Sequence, residues 1–262
     1  SIGGFSTHNS SIGFYSNDLI KIICILFMFL SALNFVLHFL FFKNRLLATY
    51  TANSEFKTFV SIIIILFVLI FIFSLNGKLE SISNIDIIFQ VFSFVTTSGF
   101  TTSNYSLWPS FIILLIFLSS FIGACAGSAG GGMKVIRLTI ALKSIKKQLL
   151  RVIHPKAELT IKVNHKKVDD TTVETILSFI ILYVVVFFIS SILIMVSGHD
   201  FVTSFSSAAA CINNLGPALG DAYGNYASLN SFSKVLLSLI MIVGRLEIYT
   251  FIILITRYFW KY

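Results

Sequence analysis

A hydroxyl-rich stretch with one glycine lies between two apolar segments, and it is the part of the chain best suited to chemistry. It runs from Phe94 to Thr102 with the sequence FVTTSGFTT. Irregular backbone at membrane depth is tolerated only where it is buried in protein or lines a water-filled path. Main-chain carbonyls around such a path can replace the hydration shell of a cation. The stretch therefore predicts an ion-selectivity filter.

Two other turns share this layout. Aligned on their glycines, the three turns read SIGGF at residues 1–5, TTSGF at 96–100 and NNLGP at 213–217. A glycine at the same place lets successive carbonyls point the same way. The predicted ion-binding residues are Ser1, Ile2, Gly3, Gly4, Thr96, Thr97, Ser98, Gly99, Asn213, Asn214, Leu215 and Gly216. Side-chain oxygens of the Thr and Asn residues either add ligands or brace the turns.

One such turn is equally well explained as a plain connection between spans, so the prediction depends on the three turns converging. Ile2, Thr97 and Asn214 occupy equivalent places in the alignment. Because these residues differ chemically, we expect a less selective filter than a ring of identical turns would give.

The elements that position these turns belong in a membrane. Of the 262 residues, 56% are hydrophobic and 11% are charged, whereas a soluble domain has about 25% charged residues. The fold class predicted is an all-α polytopic membrane protein. The net charge of +8 comes from basic residues beside apolar spans, which fits membrane topology and argues against nucleic-acid binding. The three cysteines have no metal-ligand spacing and are expected to be packed free thiols.

Apolar runs from Leu19 to Phe42, Phe59 to Leu75, Val173 to Val196 and Val235 to Phe259 are long enough to span a bilayer. Shorter runs, Ser83–Val95 with Asn84 as its N-cap and Phe201–Cys211, precede two of the turns. The pattern predicts repeated helix–pore helix–filter loop–helix units around a central ion path. Residues 1–56 would be the end of a second repeat, and residues 57–153 a third repeat whose second helix is broken. Residues 154–170 would be a cytoplasmic linker, and residues 171–262 a fourth repeat.

Lys and Arg predict the orientation of these spans. The connections 43–57 and 134–167 and the C-terminal tail are basic, whereas the filter-side connections contain few Lys or Arg. The positive-inside rule makes the basic connections cytoplasmic. The short helices then enter from outside, with their partly negative C-terminal ends aimed at the turns, which favours a cation.

The second helix of the third repeat is interrupted by GACAGSAGGG at residues 123–132. A phosphate-binding P-loop is the nearest soluble-enzyme interpretation, but Met133 stands where its lysine must be, and no Ser or Thr follows Lys134. The small residues also suit close helix packing. Arg245, inside the last predicted span, is a functional candidate because a charge there is expensive. The alternatives for Arg245 are a structural pair with Glu247 or snorkelling.

The three turns, in this order, resemble the second, third and fourth filters of the Trk/Ktr/HKT superfamily of potassium transporters, and most closely those of its Trk branch. The resemblance spans essentially the whole chain. It implies four repeats around one potassium path. On this basis we expect the chain, which begins at Ser1 without Met, to be a C-terminal part lacking the first repeat and the start of the second.

The resemblance also implies function. It places a gate below the filter, made of Gly123, Gly127, Gly130, Gly131, Gly132 and Arg245, with Arg245 hydrogen-bonded to loop carbonyls as a positive barrier. It implies a non-enzymatic K⁺ uptake subunit of the bacterial inner membrane, with K⁺ as transported ion and no cofactor. Expected partners are membrane lipid, a second copy and a cytoplasmic ring of nucleotide-binding regulators. An H⁺- or Na⁺-coupled symporter and a non-conducting interaction subunit remain open alternatives.

Overall fold

The computed structural model describes residues 3–74, 82–157, 159–164, 166–257 and 259–261. The regular secondary structure of the described chain is helical except for one short antiparallel hairpin. Its helices are α1 Asp18–Ala32, α2 Phe35–Asn44, α3 Ala48–Thr51, α4 Ser54–Ser74, α5 Asn84–Val95, α6 Ser110–Ile122, α7 Val135–Ile153, α8 Asp170–Val196, α9 Phe201–Ile212, α10 Ser231–Arg245 and α11 Ile248–Ile255. Strands β1 Lys162–Val163 and β2 Lys166–Lys167 form the hairpin. The all-helical membrane fold predicted from the sequence is confirmed.

Among the described residues, α4 and α8 are each long and apolar enough to cross a membrane. The pairs α1–α2 and α10–α11 also qualify if each is counted as one span, although they bend by 97° and 109°. Apolar side chains on the outer faces of α4 and α8 are exposed, among them Ile64, Phe71, Ile181 and Phe188. Exposed apolar faces on spanning helices are what contact with lipid requires.

Two short helices lie inside this shell. Helix α5 packs against α1, α4 and α6, and α9 packs against α8, α10 and α6. The small residues of α9 from Ser206 to Ala210 are buried, which allows neighbouring backbones to approach closely. The Ser207 hydroxyl donates to the Thr203 carbonyl at 2.6 Å, so this buried hydroxyl is satisfied within the helix.

The structure corrects three expectations about helix limits. The predicted spans Leu19–Phe42 and Val235–Phe259 are each broken, after Ala32 and after Arg245. Ser83 is the N-cap of α5, whereas Asn84 is already helical. Helix α4 begins at Ser54, before the predicted Phe59, and the predicted end at Leu75 lies outside the described residues.

Candidate selectivity filter and gate

The three glycine turns meet in the interior, backbone against backbone. The Gly4 N–H donates to the Ser98 carbonyl at 2.8 Å. A Cβ atom added to Gly99 would overlap the Leu215 carbonyl oxygen, and one added to Gly216 would overlap the Gly3 carbonyl oxygen. Each turn therefore contacts the other two, which is the convergence that the sequence required.

Two members of the predicted filter, Ser1 and Ile2, lie outside the described residues. Of the others, Thr96, Thr97, Ser98, Asn213 and Leu215 are at most 2% exposed. The carbonyls of Gly3, Gly99 and Leu215 accept no hydrogen bond from the described parts of the chain. Unpaired carbonyl oxygens at the meeting point of the turns are the groups with which a dehydrated cation is coordinated.

The second and third of these turns have the same backbone. Helix α5 ends at Val95 and α9 at Ile212, so that each helix delivers its C-terminal end to a turn. Thr97 and Asn214 then take φ of +55° and +54°. The Thr97 N–H donates to the carbonyl three residues before it, and the Ser98 N–H donates to the carbonyl five residues before it. The N–H groups of Asn214 and Leu215 make the same two hydrogen bonds in their turn. Both turns are thus Schellman motifs with Thr or Asn in place of the usual glycine.

The polar side chains of the turns act as braces in this structure. The Asn213 amide accepts from the Tyr183 hydroxyl and donates to Ser120 Oγ at 3.1 Å. The Thr96 hydroxyl donates to the Phe92 carbonyl at 2.7 Å. Of the two roles left open by the sequence, ligand or brace, these contacts show the second.

The glycine-rich segment 123–132 lies directly against the turns. The Gly131 N–H donates to Thr97 Oγ1 at 2.6 Å. A Cβ atom on Gly131 would overlap the Asn213 carbonyl oxygen, and one on Gly130 would lie 3.0 Å from the Thr96 carbonyl oxygen. Only glycine allows this segment, called the gate loop below, to come so close to the turn backbones.

The gate loop is bonded through its main chain to the break between α1 and α2. The N–H groups of Cys125 and Ala129 donate to the carbonyls of Ala32 and Ser31 at 3.0 and 3.1 Å. In return the Gly127 carbonyl accepts from the Phe35 N–H at 3.0 Å. The bend of the second predicted repeat therefore holds the loop of the third.

Arg245 also contacts the gate loop. Its Nη1 donates to the Ala129 carbonyl at 3.0 Å, the kind of hydrogen bond expected from the sequence. Glu247 pairs with Arg137, and the guanidinium of Arg137 lies 4.1 Å from the ring centroid of Phe179. The alternative of a structural Arg245–Glu247 pair is therefore not what the described side chains form.

Cavities lie on both sides of this arrangement. One of about 940 Å³ is lined by residues of all three turns, and a smaller one of about 220 Å³ borders the gate loop. Asn214 lines both cavities. The smaller cavity is lined by the cations Lys134, Arg137 and Arg245 and the carboxylate Glu247. This excess of positive charge opposes the entry of a cation.

Two residues of the site were missed in the sequence analysis. Glu55, only 5% exposed, accepts a hydrogen bond from the Ala126 N–H of the gate loop at 2.7 Å. The Lys134 ammonium donates to the Gly130 carbonyl. A carboxylate in the first turn of an apolar span was the signal available for Glu55, because ionisable residues are rare there and mark function.

Comparison with known proteins gives one consistent result. Residues 1–261 match the family model TrkH, described as cation transport protein. The chain is 39% identical over 99% of its length to the Trk system potassium uptake protein TrkH of Halomonas elongata and 36% identical over all of its length to the Trk system potassium uptake protein TrkG of Escherichia coli. It spans about half, 54%, of each of these relatives. A crystal structure of the potassium transporter TrkH from Vibrio parahaemolyticus matches with a TM-score of 0.92 and 38% identity, over 99% of this chain and 56% of that one.

Proposed function

The chain belongs to the TrkH family of cation transport proteins, and on that premise we propose that it is part of a K⁺ uptake transporter. It is a multi-pass protein of the bacterial inner membrane. In the proposed mechanism, K⁺ passes a filter of main-chain carbonyls and is stopped by the gate loop below it. Transport needs no covalent step, so no enzymatic activity is proposed.

The observation that carries this proposal is the direct contact of the three turns above the gate loop. Unpaired carbonyls of Gly3, Gly99 and Leu215 lie at the contact. The ends of α5 and α9 that point to it are the partly negative C-terminal ends. We propose that a fourth turn, as the family resemblance implies, completes the ring. Gly216 and Gly3 are in direct contact, so a fourth turn placed between them requires these two turns to separate.

Rubidium flux into liposomes containing the full-length protein tests the proposed function. We expect uptake that depends on the Rb⁺ gradient alone. Uptake that requires a Na⁺ or H⁺ gradient would identify a symporter, and absence of any flux would favour a non-conducting interaction subunit.

Gly99→Ala is the sharpest single change in the filter. The new Cβ would overlap the Leu215 carbonyl oxygen, and the φ of +78° is strained for alanine. We expect Rb⁺ uptake to fall at least tenfold. Gly224→Ala is the matched control, because nothing lies within 4 Å of a Cβ there. Equal uptake by the two variants would contradict a filter at Gly99.

The proposal extends to partners. A cavity of about 380 Å³ between α7 and the hairpin, on the side expected to be cytoplasmic, is lined by the cations Lys147, Arg151, Lys156 and Lys167 and the carboxylate Asp170. We propose that this basic face contacts a ring of nucleotide-binding regulators, and that the transporter is a homodimer in membrane lipid. The mass of the solubilised protein tests the dimer. Regulator binding measured at low and high salt tests the basic face. Because salt screens exposed charges, binding through this face should be lost at high salt.

A further inference from the structure

The carboxylate of Glu55 is hydrogen-bonded to the main chain of the gate loop. It accepts from the Ala126 N–H at 2.7 Å, and it lies near the backbone of Ile136, in the first turn of α7. The positive charge of Lys134 lies close enough to interact with it electrostatically. One buried side chain of α4 thus holds the gate loop at Ala126 and lies near the start of α7.

The first turn of α4 is in turn bonded to the cytoplasmic hairpin. The side-chain Oδ1 of Asn164 accepts from the Ser54 N–H at 2.7 Å. Asn164 lies between β1 and β2 with φ of +47°. Ser54 and Glu55 are neighbours in sequence, so one helical turn joins the hairpin to the gate loop.

We infer that Glu55 is the positioning residue of the gate loop and that the hairpin acts on the loop through it. Displacement of the hairpin would shift the first turn of α4 and with it the carboxylate. The gate loop would then lose its hydrogen bond at Ala126 while its contact with Thr97 remained. This inference rests on the proposed function, because it assigns regulation to the proposed gate.

Native cysteines report the position of the loop without any transport measurement. Cys125 lies in the gate loop and is 1% exposed, Cys211 lies in α9 and is 4% exposed, and Cys24 is partly exposed. The full-length protein would be treated with N-ethylmaleimide, and labelling rates would be measured for each cysteine-containing peptide by mass spectrometry. Cys24 shows that the reagent is active, and Cys211 shows whether the fold is intact.

We expect Glu55→Ala to speed labelling of Cys125 on the order of tenfold, because hydrogen bonds to a charged acceptor are among the stronger ones. Labelling of Cys211 should not change. Glu55→Gln keeps one acceptor oxygen and should give a smaller increase. Glu174→Ala, an exposed carboxylate of α8, is the matched control. If Cys211 also labels faster in Glu55→Ala, that variant has disturbed the fold. Labelling of Cys125 is then compared between the wild-type protein and Glu55→Gln, because glutamine has nearly the same shape as glutamate.

A double-mutant cycle tests the link to the hairpin. Asn164→Gly removes the acceptor and tolerates the positive φ, whereas Asn164→Asp keeps an acceptor. We expect the glycine variant to speed Cys125 labelling and the aspartate variant to leave it unchanged. In the double variant with Glu55→Ala, the glycine change should add nothing further.

Unchanged Cys125 labelling in both Glu55 variants would overturn the inference, whether or not the protein conducts Rb⁺. Full additivity in the cycle would overturn the part of the inference that concerns the hairpin. If the protein conducts no Rb⁺ but the labelling follows the expected pattern, the proposed function fails while the positioning role of Glu55 stands.

Discussion

Thr97 joins the proposed filter to the proposed gate through one hydroxyl group. Its Oγ1 donates to the Thr96 carbonyl at 2.8 Å and accepts from the Gly131 N–H at 2.6 Å. Thr97 is also a β-branched residue at φ +55°, an uncommon backbone conformation for such a side chain. Backbone strain of this kind is found at functional sites, where surrounding contacts hold it in place.

Thr97→Val tests this connection, because valine has nearly the same shape but no hydroxyl. The Gly131 N–H would lose its acceptor, and a buried unsatisfied donor costs about 1–3 kcal/mol. We expect the closed position of the gate loop to weaken and basal Rb⁺ flux in liposomes to rise several-fold. Thr97→Ser keeps the hydroxyl and should stay near the wild-type flux. Equal flux in the valine and serine variants would contradict the role of the hydroxyl.

At the scale of elements, the two bent helices enclose the gate loop. The break after α1 supplies main-chain partners for the loop, and the break after α10 places Arg245 against it. Asn34, at the first break, caps α2 by accepting from the Val36 N–H at 2.8 Å. Glu247, at the second, has φ of +57°. Each bend therefore creates the contacts of a gate that a straight span would lack.

Arg245 acts at this scale, because it lies at the end of α10 where the chain turns. The side-chain amide of Asn214 is oriented so that both its oxygen and its nitrogen are hydrogen-bonded. Its oxygen then accepts from the Arg245 main-chain N–H at 3.2 Å. Arg245→Ala would remove a positive charge from the smaller cavity and a hydrogen bond from Ala129. We expect basal Rb⁺ flux in liposomes to rise several-fold.

Arg245→Lys separates the two contributions, because lysine keeps the charge without the guanidinium geometry. Flux close to wild type in this variant would assign the effect to charge. Arg151→Ala removes an exposed cation that lines neither of the two cavities at the turns and serves as the control. If Arg245→Ala left the flux unchanged, the proposed barrier would be wrong.

At the scale of the whole molecule, charge and apolar surface define an orientation. The basic cavity lined by Lys147, Arg151, Lys156 and Lys167 lies where α7 ends and α8 begins. The larger cavity is lined by residues of all three turns. In the predicted topology it lies on the outer side, where α5 and α9 begin. The positive-inside rule makes the basic side cytoplasmic.

Cysteine scanning tests this orientation. Lys156→Cys and Ser228→Cys both introduce a thiol at an exposed position, on what we expect to be opposite sides of the membrane. A membrane-impermeant maleimide should label the cysteine at 228 in intact cells and the one at 156 in inverted vesicles, above the background of the parent protein. The reverse pattern would show that the basic side faces outward.

The sequence by itself determined the membrane class, the helical fold and the repeated turns. These follow from local composition: long apolar runs form spanning helices because no water is present to bond their backbone, and glycine marks a turn wherever it stands. The resemblance to the family depended on the same local motifs.

The bends in α1–α2 and α10–α11 and the contact of Glu55 with the gate loop depend on tertiary packing. No proline stands at either break, and apolar residues resume directly after Asn34 and after Glu247. At the first break the gate loop supplies partners for main-chain groups that a continuous helix would otherwise satisfy, and at the second it accepts a hydrogen bond from the Arg245 side chain. Glu55 meets Ala126 across 71 positions of sequence, and a contact between residues so far apart depends on how the helices pack.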